Sequence, residues 1–200
     1  MMQSRSLKSR LIALAGMAVI VGVAVAGLMA AGLLGRPNDV QSAELLRPAA
    51  GQEFGTSIGD IAPDFTVSDL DGNRHRMSDY RGKPVLLNFW ASWCLPCAFE
   101  MPQLAQFQAA HRDEIAVLVV NRGEPVDRAR SYLRNVQLPD GSEGATFALH
   151  ASDPDDTLYR AYRALGMPAS YFIDSSGRIA HTANGPIPLD QMEQALASTP

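Results

Sequence analysis

The chain has 200 residues, of which 46% are hydrophobic and 19% charged, a composition that favours one globular domain with accessory segments. From Arg36 onward there are 14 basic and 21 acidic residues. This balance disfavours nucleic acid as a partner, because phosphate binding needs clustered lysine and arginine. Two cysteines are too few for a structural zinc site or for a scaffold of several disulfides.

The first predicted element is a single transmembrane helix over residues 11–35, which carry no charge. Its 25 residues exceed the roughly 20 that cross a bilayer core, and three basic residues before it orient residues 1–10 toward the cytoplasm. The alternative is a cleaved signal peptide with its cleavage site at Ala24-Val25-Ala26, although the apolar region of a signal peptide usually has only about 7–15 residues. We expect an uncleaved signal-anchor in the cytoplasmic membrane. Both alternatives place the remaining chain on the extracytoplasmic, periplasmic side.

Residues 36–57 lack sustained periodicity and predict a linker, so the folded domain is expected over residues 58–200. A strand from Phe65 reaches a turn at Asp71-Gly72 and returns over residues 73–77, which predicts a β-hairpin. A short turn or helical piece (78–83) follows. Residues 85–89 are nearly all apolar, as expected of an interior strand buried on both faces.

A helix is predicted from about Cys94 to His111, with Met101, Leu104 and Phe107 at three-residue steps and a proline, Pro102, inside it. The elements after this helix complete the order β-β-β-α-β-α-β-α-β-β-α. That order predicts an α/β fold with a mixed sheet and helices on both faces. The later elements are strand 115–120, helix 125–135, strand 145–149, helix 157–165, strands 169–173 and 178–183 as a hairpin, and helix 188–197.

Cys94 and Cys97 are two residues apart at the predicted strand-to-helix junction, which is the sequence form of a dithiol redox site. Cys94 lies at the helix N-terminus, where unpaired N–H groups and the helix dipole stabilise a thiolate. We therefore expect Cys94 to be the exposed nucleophile and Cys97, one turn further, to be the resolving thiol. A passive structural disulfide is the alternative, but so short a loop constrains little of the unfolded chain.

Glu100 follows Cys97 by three residues, near the base of the dithiol. A carboxylate in that place is able to take the proton of a thiol if partial burial raises its pKa. The alternative is a glutamate on a solvated helix face. Trp93 is predicted to shield and frame the dithiol, whereas Trp90 is as compatible with core packing.

We expect no cofactor apart from the redox-active disulfide itself, and no metal site. The histidines lie on different predicted elements in no recognisable metal spacing, which favours surface or loop positions for them. They are His75, His111, His150 and His181.

The order of elements and motifs consists of a strand, Trp-Cys-x-x-Cys, a proline-containing helix, a βαβ unit, and Gly-x-Pro before a terminal hairpin and helix. This order resembles the thioredoxin fold. Residues 58–200 also contain, in this order, Ala62-Pro63-Asp64-Phe65, the run 88–94, Cys97-x-x-Glu100-Met101-Pro102, Val120-Asn121 and Phe172-Ile173-Asp174. With these residues the chain further resembles the membrane-anchored TlpA/ResA-like thiol–disulfide oxidoreductases, which are related to the redoxin and AhpC/TSA proteins.

The resemblance implies roles for particular residues. It implies that Glu100 exchanges protons with the thiols, since Asn88 occupies the position at which thioredoxin has a buried acid, and an asparagine cannot titrate. Met167-Pro168 matches the cis-proline of the fold, which lies against the Cys-x-x-Cys motif. Together with Trp93, these two residues are expected to bind a substrate peptide, to which Met167 would present its backbone as an edge strand does.

The resemblance also implies a function, namely the reduction of disulfides in specific client proteins by a membrane-tethered oxidoreductase. It suggests as clients the haem-binding cysteines of apocytochromes in cytochrome c-type biogenesis or the copper-site cysteines of cytochrome oxidase. It suggests a membrane thiol-transfer reductase as the electron donor.

Two alternatives stay open. A thiol peroxidase is one, because the run Ala62–Phe65 also occurs in peroxiredoxin-like chains. A non-enzymatic copper chaperone on the same fold is the other, although such proteins resemble Cys-x-x-x-Cys, one residue wider than the spacing here.

Overall fold

The computed structural model describes residues 42–199. Among these residues no helix combines the length and apolar character that crossing a membrane requires. The transmembrane segment predicted over residues 11–35 lies outside the described residues.

One mixed sheet organises the described residues, with its strands in the order β1-β2-β6-β5-β4-β7-β8 and β3 paired to β2. The three strands β4, β5 and β6 run parallel, and the other pairings are antiparallel. The strands are β1 Glu44–Leu45, β2 Phe65–Asp69, β3 Arg74–Arg76, β4 Val85–Trp90, β5 Ala116–Arg122, β6 Leu149–Asp153, β7 Ala169–Ile173 and β8 Ile179–Asn184.

Among residues 42–199, four α-helices connect and flank these strands. They are α1 Leu95–Ala110, α2 Val126–Arg134, α3 Thr157–Ala161 and α4 Leu189–Ala197, with a 3-10 helix at Met77–Tyr80. The predicted alternation of strands and helices, both hairpins and the position of Pro102 inside α1 are thereby confirmed.

Side chains of β4 alternate between two hydrophobic cores because successive residues of a strand point to opposite faces. Leu86 and Trp90 belong to the core that contains Met101, Leu104 and Phe107 of α1. Leu87 and Phe89 belong to the core on the other face, which includes Tyr162 and Tyr171. The strand that leads into the cysteine motif is therefore held from both sides, which fixes the start of α1.

The strand predicted over residues 145–149 is misplaced, because β6 occupies Leu149–Asp153 and so begins where the predicted strand ends. Ala145 and Phe147 are buried against the first core but pair with no strand among residues 42–199. The true strand has the polar residues Ser152 and Asp153 in buried positions, so its sequence lacks the apolar pattern. Pairing with β5 and β2 on its two sides decides its place.

Two further boundaries differ from the predictions. Within the segment predicted as a linker, Glu44–Leu45 pairs with β2 as a short edge strand. Helix α3 ends at Ala161 rather than at Leu165, because Arg163 adopts a φ of 50°, which an α-helix does not allow.

Candidate active site

The two cysteines lie where β4 ends and α1 begins, and they form a disulfide with 5.2 Å between their Cα atoms. Cys94 is the N-cap of α1, with extended backbone dihedrals of −85° and 103°. The backbone N–H of Cys97 donates to Cys94 Sγ at 3.2 Å. Because the first N–H groups of a helix have no partner within it, they stabilise negative charge on a sulfur in this position.

Cys94 is less accessible than predicted. It is 5% exposed and Cys97 is 1% exposed, so the order of exposure is as expected but the nucleophile is not openly exposed. Trp93, directly before Cys94, is 61% exposed. Trp90 is buried and its ring lies 5.2 Å from that of Tyr132, which makes it a core residue.

Glu100 is buried on α1, one turn after Cys97. The alternative interpretation, in which Glu100 lies on a solvated face of the helix, is therefore wrong. Its Oε1 accepts from the backbone N–H of Ile187 at 2.8 Å, and its Oε2 accepts from Asn88 Nδ2 at 3.0 Å. Burial raises the pKa of this carboxyl to about 7, and these two hydrogen bonds oppose the rise. A group with that pKa gains and loses a proton near neutral pH, as a proton acceptor for a thiol must.

Asn88 links Glu100 to the neighbouring strand. Its Nδ2 also donates to Ser170 Oγ at 2.9 Å, and Asn88 and Ser170 are paired in the register of β4 and β7. Both amide hydrogens are thereby used, whereas Asn88 Oδ1 is buried and has no partner among residues 42–199. The amide is therefore oriented with its donor toward Glu100, which favours the ionised carboxylate.

A second buried glutamate, Glu124, was not identified as a site residue from the sequence. Its Oε2 accepts from the backbone N–H of Ser92 at 2.7 Å and its Oε1 from Ser92 Oγ at 2.6 Å. Asn121 Nδ2 also donates to Oε2, at 2.8 Å. Glu124 thus fixes the segment that carries Trp93 and Cys94.

A signal for Glu124 was present in the sequence. Asn121 and Glu124 follow the predicted strand 115–120 closely, and parallel strands end at the same edge of a sheet. The structure pairs Asn121 with Trp90 there, two residues before Ser92.

The Met167-Pro168 peptide bond is cis, as the resemblance implies. The register of β4 and β7 pairs Phe89 with Ala169, so Pro168 lies at the same end of the sheet as the cysteine motif. Met167 packs against the core that includes both cysteines. The Gly185 N–H donates to the carbonyl of Pro168 at 2.8 Å, and two residues later Ile187 binds Glu100. One loop therefore contacts both the cis-proline and the buried carboxylate.

Each histidine has a polar partner, and none of these partners is a cysteine. His75 contacts Asp69, and His111 lies between Glu114 and Glu193. His150 accepts from the backbone of Phe147, and His181 contacts Ser198. Within residues 42–199 no group of three histidine, cysteine, aspartate or glutamate side chains is arranged to hold a metal ion.

Comparison with known proteins places these features in a family context. The model of the AhpC/TSA family matches residues 58–182. The thiol-disulfide oxidoreductase ResA of Geobacillus thermodenitrificans is 33% identical over 148 residues, which are 74% of this chain and 80% of that protein. ResA of Bacillus subtilis is 31% identical over 137 residues, which are 68% of this chain and 72% of that protein.

A solved structure is similar as well. It is the crystal structure of a Chlorobium tepidum protein named as a DsbE-type thiol:disulfide interchange protein. It superimposes with a TM-score of 0.62 at 34% identity and covers 72% of this chain and 97% of that one. The similarity supports a thioredoxin-like α/β fold for the described residues.

Proposed function

Because the chain belongs to the AhpC/TSA family and is a thiol–disulfide oxidoreductase, we propose that it reduces disulfides of specific client proteins through Cys94 and Cys97. The observation that carries this proposal is the buried carboxyl of Glu100, whose pKa lies near neutrality, one helical turn beyond the disulfide. A purely structural disulfide has no use for a group that exchanges protons in this place.

The reaction begins with the reduced dithiol. The Cys94 thiolate attacks a client disulfide, a bond forms between Cys94 Sγ and one client sulfur, and the other client sulfur leaves and takes up a proton. Cys97 then attacks Cys94 Sγ and releases the first client sulfur, which takes up the second proton. In total two electrons and two protons pass to the client, and the Cys94–Cys97 disulfide forms.

Glu100 supplies the proton transfer in the second step. Residues three apart on a helix are neighbours, with about 5–6 Å between their Cβ atoms, so Glu100 is adjacent to Cys97. Its carboxylate accepts the proton of the Cys97 thiol and makes that sulfur a nucleophile. Asn88 cannot replace it, since an amide does not titrate in this range.

Binding of the client involves the cis-proline loop. Within residues 42–199 the Met167 backbone makes no hydrogen bond to another residue, so it is free to pair with an extended peptide. Trp93, exposed next to Cys94, provides an apolar contact for the same peptide.

The cellular context is also part of the proposal. The uncharged residues 11–35 would tether the domain to the cytoplasmic membrane and place the dithiol on the periplasmic side. Thiols are oxidised there, so a membrane thiol-transfer reductase must resupply the electrons. Clients would be cysteine pairs of proteins in cytochrome c maturation or copper-site assembly.

Replacing Cys97 with serine tests the proposal, because it blocks the second step. In native membranes, Cys97→Ser protein should accumulate mixed disulfides with client proteins through Cys94. A reductant should cleave these mixed disulfides and release the clients. Cys94→Ser is the matched control and should trap none. Absence of any partner from the Cys97→Ser sample would remove the support for a client reductase.

The two alternative functions give different results. A thiol peroxidase consumes hydrogen peroxide faster than the background rate when thiols are supplied. A copper chaperone binds one copper ion tightly in the reduced state and releases it when a histidine is replaced. The proposed reductase shows neither behaviour.

A further inference from the structure

Most of the large apolar side chains that are exposed belong to the chain segments that build the redox site. Six such side chains are exposed among the described residues, and four of them belong to the cysteine motif, to α1 or to the loop before the cis-proline. We refer to these four as the apolar collar: Trp93, Leu95 (67% exposed), Phe99 (67%) and Leu165 (89%). Single exposed apolar residues are ordinary, but a group of them around a reactive centre indicates an interaction site.

The collar continues along α1 as a stripe. Leu95, Ala98, Phe99 and Pro102 follow the spacing i, i+3, i+4, i+7, which brings them to one face of the helix. This face is directed away from the core, since Met101 and Leu104 are the buried residues of the same turns.

A groove of about 730 Å³ lies beside the stripe. Ala98 and Pro102 line it on α1, and Tyr132 and Val136 line it on or just after α2. Ser92, two residues before Cys94, also lines it. A volume of this size is in the range of pockets that bind ligands, roughly 300–1,000 Å³. The rest of the lining is polar and consists of Arg128, Ser131, Asn135 and Gln137, so the groove that adjoins the stripe is of mixed character.

The chemistry of the site determines what occupies this surface. A client can form a mixed disulfide with Cys94 only if its chain lies against the side chains around Cys94. Trp93 and Leu95, which flank Cys94 in the chain, belong to the collar. The free backbone of Met167, close to Leu165 in the same loop, suits an extended rather than a helical client segment.

We propose that the collar selects client segments that are extended and carry a bulky apolar side chain close to the reactive cysteine. This inference rests on the proposed function. The proposal also places the client segment along the exposed face of α1, and this placement sets the position of that side chain. Phe99 is five residues after Cys94, or about 7.5 Å along the helix axis. An extended client chain advances about 3.3 Å per residue, so the side chain that contacts Phe99 is about two residues from the client cysteine.

Two disulfide-bonded peptides test this selection. They carry the same cysteine pair, and the residues two positions before and after the reactive cysteine are leucine in one peptide and serine in the other. Reduced full-length protein should reduce the leucine peptide with a kcat/KM about tenfold higher, because burial of apolar area favours its binding, and the difference should lie in KM.

Variants assign the selection to the collar. Phe99→Lys should lower the ratio of the two kcat/KM values from about ten to near one, since the leucine side chain loses its apolar contact. Gln106→Lys is the matched control, because Gln106 is exposed on the same helix outside the collar, and it should keep the wild-type ratio. Leu165→Ser should lower the ratio in the same direction as Phe99→Lys.

The contradicting outcomes are separable. Equal reduction of both peptides by the wild-type protein, or an unchanged ratio in Phe99→Lys, overturns the collar as a selective surface but leaves the reductase intact. Failure to reduce either peptide overturns the proposed function and the selection together. A concentration-dependent dimer that Phe99→Lys dissociates would assign the collar to a second copy of the chain, and so overturn its assignment to clients.

Discussion

Replacing Glu100 with glutamine should change how the stability of the protein depends on pH. Glu100 is 1% exposed, and burial raises its pKa from the ordinary value of 4.5 to about 7. Each unit of difference between the folded and unfolded pKa corresponds to about 1.4 kcal/mol. The titration of this one carboxyl therefore changes the free energy of unfolding by about 3 kcal/mol between low and high pH.

The sign follows from which state holds the proton. Between pH 4.5 and about 7 the folded protein keeps Glu100 protonated while the unfolded chain has lost that proton. The free energy of unfolding therefore falls as pH rises through this interval. The stabilising contribution of the neutral carboxyl is complete below pH 4.5 and is lost above about pH 7. Glutamine has no proton to lose, so Glu100→Gln removes this dependence.

Urea unfolding of the oxidised full-length protein at pH 4 and at pH 8 measures the effect. Wild type should lose about 3 kcal/mol more than Glu100→Gln between the two values. The matched control is Glu53→Gln, since Glu53 is an exposed glutamate, and it should follow the wild-type curve. Equal pH dependence in wild type and Glu100→Gln would refute the raised pKa, and with it the proton transfer assigned to Glu100.

Two other predictions concern the residues that support the site. Glu124→Ala should lower the free energy of unfolding by about 1–3 kcal/mol, because the buried amide of Asn121 and the partly buried N–H of Ser92 lose their acceptor. A urea titration that shows no change would contradict this. Ser170→Ala leaves the Asn88 amide free to turn its oxygen toward Glu100, which raises the pKa of Glu100 further. In Ser170→Ala the pH midpoint of the step in which Cys97 resolves a mixed disulfide should then move upward. Ser170→Thr keeps the hydroxyl and should have the wild-type midpoint. An unchanged midpoint in Ser170→Ala would show that Ser170 has no such role.

The redox centre was predictable from the sequence because its signals are local. The spacing of Cys94 and Cys97 and the apolar strand before them lie within a short run, and helix and strand periodicities report directly on burial. Glu100 lies in the same run, and its burial was one of two alternatives that the sequence left open. Its place on α1 opposite Asn88 decides between them.

Contacts between distant segments were harder to predict. Glu124 binds Ser92 across 32 positions, and Ser170 binds Asn88 across 82. Such pairs depend on the register of neighbouring strands, which no single segment encodes. For the same reason β6 was misplaced, since its buried Ser152 and Asp153 gave no hydrophobic pattern. The burial of Cys94 also depends on the packing around it rather than on its position in the motif.

The central claim is that the reduced protein transfers two electrons to a protein disulfide through Cys94 and Cys97. The direct measurement mixes the reduced full-length protein with one equivalent of a disulfide-bonded peptide, alkylates all free thiols, and counts the labelled cysteines by mass spectrometry. We expect two labelled cysteines on the peptide and a Cys94–Cys97 disulfide in the protein, with no transfer from Cys94→Ser. A peptide that stays oxidised while the protein keeps both thiols would contradict the account.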